Sequence, residues 1–223
     1  MRLFCIMFLI AYCLPGYSQK NKPGLPVISL RTIPSSFLEA DAGATLGIGV
    51  QVAPRWELTF DPMLIFYAPF TMGVGNKDRS VVNGYKLRGA LKYYLRDYEY
   101  ARKPKLFFAF EWHYKNVTEK KWGNFGMNGV NGQYSFFQLA RYNQIRVENG
   151  GIVKTGFITR LWSPRWAMEV FAGIGVKLTR RRQSNIPAGG EFLNDPNQDN
   201  IFISETGNLP IMPVGAKFLF RIY

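Results

Sequence analysis

The chain is poor in thiols, imidazoles, carboxylates and long apolar runs, and each shortage removes a class of function. Its two cysteines, Cys5 and Cys13, both lie within the first eighteen residues, and His113 is the single histidine. If the leader is removed, the mature chain has no thiol, so a disulfide scaffold, a thiolate metal site and a cysteine nucleophile are all excluded. One histidine with scattered acids gives no ligand spacing for a metal, and no cofactor site is expected. Beyond the N-terminus no stretch approaches the roughly 18 to 20 consecutive apolar residues of a membrane helix. Any passage through a bilayer must therefore use strands. Carboxylates number 15 against 28 lysines and arginines, a formal net charge of +13.

The leader itself is informative. Arg2 opens it, Leu3 to Leu14 form a short apolar stretch, and Gly16-Tyr17-Ser18 offer a small-x-small site, so residues 1–18 read as a signal peptide cleaved before Gln19. The apolar stretch is short for a retained anchor, and bulky Tyr12 before Cys13 argues against lipid attachment there. Export also decides between two meanings of basic charge: an anionic membrane surface is expected as partner, and nucleic acid is not.

The main signal in residues 19–223 is period-two alternation. Ala44, Leu46, Ile48, Val50 and Val52 alternate with Gly43, Thr45, Gly47, Gly49 and Gln51. Trp56, Leu58, Phe60, Leu64 and Phe66 oppose Glu57, Thr59 and Asp61, with Pro62 marking a bulge or bend. Tyr85, Leu87, Leu91, Tyr93 and Leu95 oppose Lys86, Arg88, Lys92 and Arg96, charges that a helix would scatter around its circumference. Leu106 to Tyr114, Trp166 to Thr179 and Val214 to Ile222 repeat the pattern. Pro26 to Ile33 and Ile152 to Trp162 are weaker segments of the same kind. Together they predict eight antiparallel strands closing as an up-and-down transmembrane β-barrel. Ten is the alternative, if Tyr134 to Val147 is a strand of its own rather than an extension of one.

Connection lengths support the same topology. Pro54-Arg55, Asp97 to Pro104 and Ser163-Pro164-Arg165 are short links; Thr71 to Asn83, Asn116 to Gly151 and Arg180 to Pro210 are long ones. Short and long alternate, as periplasmic turns and extracellular loops do. Ala53-Pro54-Arg55-Trp56 recurs as Ser163-Pro164-Arg165-Trp166, which places Trp56 and Trp166, with Trp162, at an interfacial girdle.

The stretch Lys154 to Lys177 (KTGFITRLWSPRWAMEVFAGIGVK), the strand from Gly84 to Leu95 and the terminal aromatic Tyr223 resemble the small outer-membrane β-barrel families of Bacteroidota-type bacteria, with the general architecture of OmpA- or OmpX-like barrels. The resemblance implies a location in the outer membrane. It also implies recognition of the last strand by the barrel-insertion machinery, although Tyr223 departs from the usual form in lying on the opposite parity from Phe218, Phe220 and Ile222.

With the apolar faces turned to lipid, the lumen receives a charge network that includes Glu57, Asp61, Lys86, Arg88, Lys92, Glu111, His113, Lys115, Glu169 and Lys177. An interior of about eight strands is just wide enough for side chains to fill, so paired charges are expected rather than a pore. Arg180, Arg181 and Arg182 open a long loop and are candidate contacts for lipopolysaccharide phosphates. Three functions are compatible with these residues. A monomeric, non-enzymatic barrel serving envelope integrity or surface interaction leads. A lipid-modifying enzyme using His113 is second, and a soluble periplasmic lipocalin-like barrel with apolar faces inward is third.

Overall fold

The computed structural model describes residues 28–38, 41–67, 81–95, 104–129, 133–163, 165–192 and 207–222. The leader, Tyr223 and most of the link from Asp97 to Pro104 lie outside them. The protein is all-β: β1 (Ile28–Thr32), β2 (Ala42–Thr45), β3 (Gly47–Ala53), β4 (Trp56–Phe60), β5 (Met63–Tyr67), β6 (Val81–Tyr94), β7 (Lys105–Met127), β8 (Phe136–Arg160), β9 (Trp166–Ser184), β10 (Gly190–Phe192), β11 (Gly207–Ile211) and β12 (Val214–Ile222), with one 3-10 turn at Pro34–Leu38. Among the described residues no helix is long and apolar enough to cross a membrane.

All pairings are antiparallel. β6 pairs β7, β7 pairs β8, β8 pairs β9, and β9 pairs β12. The last long strand then pairs the first, Ile222 opposite Ile28, and β1 pairs β3, β3 pairs β4 and β4 pairs β6.

Three of the breaks between the twelve strands are local, which leaves nine runs of chain: short β10, which pairs only β7, and eight that pair in succession. Pro62 has no N–H to give the ladder, but Pro62 O accepts from Leu46 N at 3.3 Å, and Asp61 exchanges backbone hydrogen bonds with Arg88. Phe60 opposite Gly89 and Met63 opposite Lys86 keep one register, so the expected bulge at Pro62 is absent and the faces do not switch. Pro213 interrupts β11 and β12 in the same way, its carbonyl accepting from Gly173 N at 2.9 Å. The register shifts in this part of the sheet lie between Gln51 and Ala53 and between Ala42 and Gly43.

Two expected loops are corrected. Asn116 to Gly151 is mostly strand: β7 is 23 residues long and β8 25, paired without a break from Lys105–Ile158 to Met127–Phe136. Tyr134 to Val147 therefore does not form a separate strand; from Phe136 onward it belongs to β8. Arg180, Arg181 and Arg182 likewise do not open a loop but continue β9 to Ser184. About 10 residues of strand suffice to cross a bilayer, so β7 to β9 run well past any such crossing.

The buried side of the sheet is not purely charged. Phe107 and Ala109, apolar on the parity that Glu111 and His113 occupy, join Tyr94, Ile158, Ala167, Phe171 and Leu219 in an apolar cluster at the end where the short turns lie. Met63, Ile65, Val82 and Val117 form a second cluster, and Phe125, Met127 and Tyr142 a third, near the tip of the β7–β8 extension.

Candidate functional site

Alternation sends every second side chain of each strand to the buried face, and these side chains carry most of the charge. Glu57, Asp61, Arg88, Lys92, Glu111, His113, Lys115 and Glu169 are all buried there, and Lys86 and Lys177 are half-buried. Lys154 and Lys217, which alternation also turns inward, are buried with them, and the structure adds Arg31, Asp41, Glu119, Arg146 and Glu148; all seven make ion pairs with these residues or with one another.

The first network lies toward the short turns. Arg31 pairs with Glu57 and reaches Glu169 at 3.7 Å; Lys92 also pairs with Glu169. Tyr94 donates its hydroxyl to Glu57, which also accepts from Ser29. Lys217 meets Asp61 at 2.6 Å, and Lys154 meets Glu111 at 2.6 Å. Two ammonium groups stand over rings, Lys92 4.8 Å from the Phe107 centroid and Lys154 4.4 Å from Phe171. In these pairs four acids (Glu57, Asp61, Glu111, Glu169) face four bases (Arg31, Lys92, Lys154, Lys217), with buried Arg88 close to Glu111, so most of the buried charge is compensated, as deep burial demands.

The partners in this network are not neighbours in the sheet. Asp61 follows β4, and Lys217 is on β12, three strand spacings away through β3 and β1. At about 4.8 Å per spacing, a flat sheet would hold them roughly 14 Å apart. A contact of 2.6 Å requires the sheet to curl. Glycine makes the room: a Cβ on Gly49 would come within 2.5 to 2.6 Å of Glu57 Oε1, Arg31 Nε and Ser29 Oγ.

The second network lies toward the long-strand end. Asp41 accepts from Lys115 at 2.7 Å and from Arg146 at 2.5 Å, and Glu148 meets Lys115 at 2.9 Å and Lys177 at 3.1 Å. Arg146 also approaches Glu119 at 3.5 Å. Burial works against the charge on Asp41, but Lys115 and Arg146 hold its carboxyl below the ordinary carboxylate range.

His113 sits on β7 opposite Gly150, whose lack of a side chain admits the imidazole: a Cβ there would lie 2.7 Å from His113 Cε1. Its Nδ1 has no hydrogen-bond partner among the described residues, so no acid orients the ring through that atom.

On the other face the apolar side chains are exposed. Leu64 is 69% exposed, Ile174 65% and Phe110 59%. Trp56 packs on Tyr93 (centroids 4.9 Å apart) and Trp166 on Phe220 (5.0 Å), both beside the short turns, and Trp162 projects nearby, 87% exposed. A second aromatic set stands toward the other end: Tyr85 near Tyr114, and Trp112, which donates from Nε1 to Asn149 at 2.6 Å. From Tyr93 to Tyr85 is about 26 Å along β6. Of the three arginines, Arg180 and Arg182 face outward, and Arg181 turns to the other face.

The residues that sequence reasoning missed sit where its pattern was weakest. Arg31 is on the shortest segment, Asp41 is in a link, and Glu119, Arg146 and Glu148 fall in the stretch read as loop or extension. The alternation of Arg146 and Glu148 with Ile145 and Val147 was the available signal. No protein-family model, curated protein or solved structure matches this chain.

Proposed function

We propose that the protein is an integral outer-membrane β-barrel of eight strands, plugged by its own charge network, which serves the envelope structurally and presents the β7–β9 extension at the cell surface. One observation carries this reading: polarity is inverted relative to a water-soluble protein. Leu64, Phe110 and Ile174 are well over half exposed, while Glu57, Asp61, Glu169 and Lys217 are at most 3% exposed. Soluble folds seldom bury charged side chains, and then as pairs, as here; it is the exposed apolar band beside them that marks an interface with another apolar phase.

Closure is supported by the succession of pairings, which leaves β6 and returns to it through eight runs, and by ion pairs between strands three spacings apart. The two aromatic sets are separated by roughly the 25 Å height of a barrel's lipid-facing band. A lipocalin-like arrangement would turn Leu91 and Ile174 inward, whereas they are 41% and 65% exposed.

The test is fractionation of cells expressing the full chain. The protein should stay with outer membranes after carbonate washing and migrate differently on gels when unheated. A detergent-free soluble mature chain overturns the reading.

A further inference from the structure

The outward face of β7, β8 and β9 changes character beyond the aromatic set. On β9 the outward residues Ala172, Ile174, Val176 and Leu178 give way to Arg180 and Arg182; on β7, Phe110, Trp112 and Tyr114 give way to Asn116, Thr118 and Lys120. Registration brings the cations together. Arg182 is opposite Ile145, which is opposite Thr118, and Lys120 is opposite Asn143, which is opposite Ser184. Arg141, the next outward residue of β8, lays its guanidinium over the Trp122 ring at 4.6 Å.

Lys120, Arg141, Arg180 and Arg182 are all exposed, and none makes an ion pair among the described residues. No carboxylate shares this face on the three strands, since Glu111, Glu119, Glu148 and Glu169 all take the buried parity. Ile145 and Val147 lie between the cations as an apolar floor. The side chains of Arg180 and Arg182 emerge about 7 Å apart, and the patch spans about 10 Å across two strand spacings and about 20 Å along the strands from Arg180 to Arg141.

We propose that this face binds phosphate groups on the headgroups of outer-leaflet lipids, a proposal that rests on the membrane reading above. These cations without counter-charges begin one outward position past the apolar band, at Arg180, and continue through Arg182 and Lys120 to Arg141, so they rise through the layer where headgroup phosphates lie. Guanidinium groups make bidentate hydrogen bonds to phosphate oxygens, and Ile145 and Val147 contact the apolar part of the same molecule. The site thus takes a phosphorylated lipid rather than a free anion, because the floor between its cations is apolar.

The experiment inserts the full chain into phosphatidylcholine nanodiscs that carry either diphosphorylated lipid A or the same glycolipid stripped of phosphate, and counts retained lipid by native mass spectrometry. The phosphorylated form should be retained about tenfold better. The combined variant Lys120→Gln, Arg180→Gln, Arg182→Gln should lose that preference yet keep its gel shift on heating. Equal retention of the two lipids by inserted wild-type protein overturns the site and leaves the barrel reading standing. Displacement of the lipid by millimolar inorganic phosphate overturns the lipid assignment in favour of a small-anion site. Failure of the chain to insert at all overturns the barrel reading itself.

Discussion

The stretch of sheet between the two aromatic sets and the extension of β7 to β9 beyond them share one backbone geometry and differ in what they present outward and enclose. Between the aromatics, the outward positions are Phe108, Phe110, Val153, Phe157, Val170 and Ile174, and the buried positions hold Lys92, Glu111, Lys154 and Glu169. In the extension, the outward face acquires Lys120, Arg141, Arg180 and Arg182, and the buried face closes on Phe125, Met127 and Tyr142. Period two is fixed by the pleat, so a strand can only choose what it alternates. What it alternates reports the medium on each side, and on the proposed membrane reading that medium changes along single strands.

The largest expected effect comes from the first network. Glu169→Leu leaves Lys92 and Arg31 without a shared counter-charge and should destabilise the folded protein by about 3 to 5 kcal/mol. Urea unfolding in lipid vesicles measures it, and adding Lys92→Met should restore much of the loss. A null effect of Glu169→Leu would mean that water reaches this network, and the contrast between the two regions would lose its basis.

Next comes a matched pair of outward substitutions. Ile174→Arg, within the apolar band, should cost about 2 to 4 kcal/mol, and Ile145→Arg, in the extension, about 0 to 1 kcal/mol. Equal costs would erase the proposed boundary between lipid and water. Gly49→Ala tests packing rather than medium. Its Cβ would intrude on Glu57, Arg31 and Ser29, and the expected loss is about 1 to 3 kcal/mol, read from the same unfolding curves.

The smallest effect concerns Asp41. Its carboxyl is held below the usual carboxylate range, so its contribution is complete above the unfolded-state value near 3.8 and disappears as pH falls through the lower folded-state value. Stability followed from pH 6 downward should drop more steeply in the wild type than in Asp41→Asn. Parallel curves would show that Lys115 and Arg146 do not hold it.

Most of the strands were legible because alternation is local. Each of Leu58, Leu91 and Val170 faces outward for a reason visible within four residues on either side. The loops were misread for the same reason. Thr118 and Lys120 sit where β7 leaves the apolar band, the apolar-polar contrast between the faces fades, and a paired strand looks like a polar linker. Only registration with β8 over the full length of both strands reveals it. Pro62 was read as a bulge or bend because its missing N–H is visible in sequence, whereas the flanking hydrogen bonds from Leu46 and between Asp61 and Arg88 that keep the register are not.

By itself the sequence determined that the chain is all-β and which parity of each segment is apolar, because side-chain direction in a strand depends on nothing beyond the pleat. The tertiary structure alone decided who pairs with whom: Asp61 with Lys217, Lys92 with Glu169, and Asp41 with Lys115 and Arg146. Those partners are distant in the chain, and they meet only when curvature and register bring separate strands into one space.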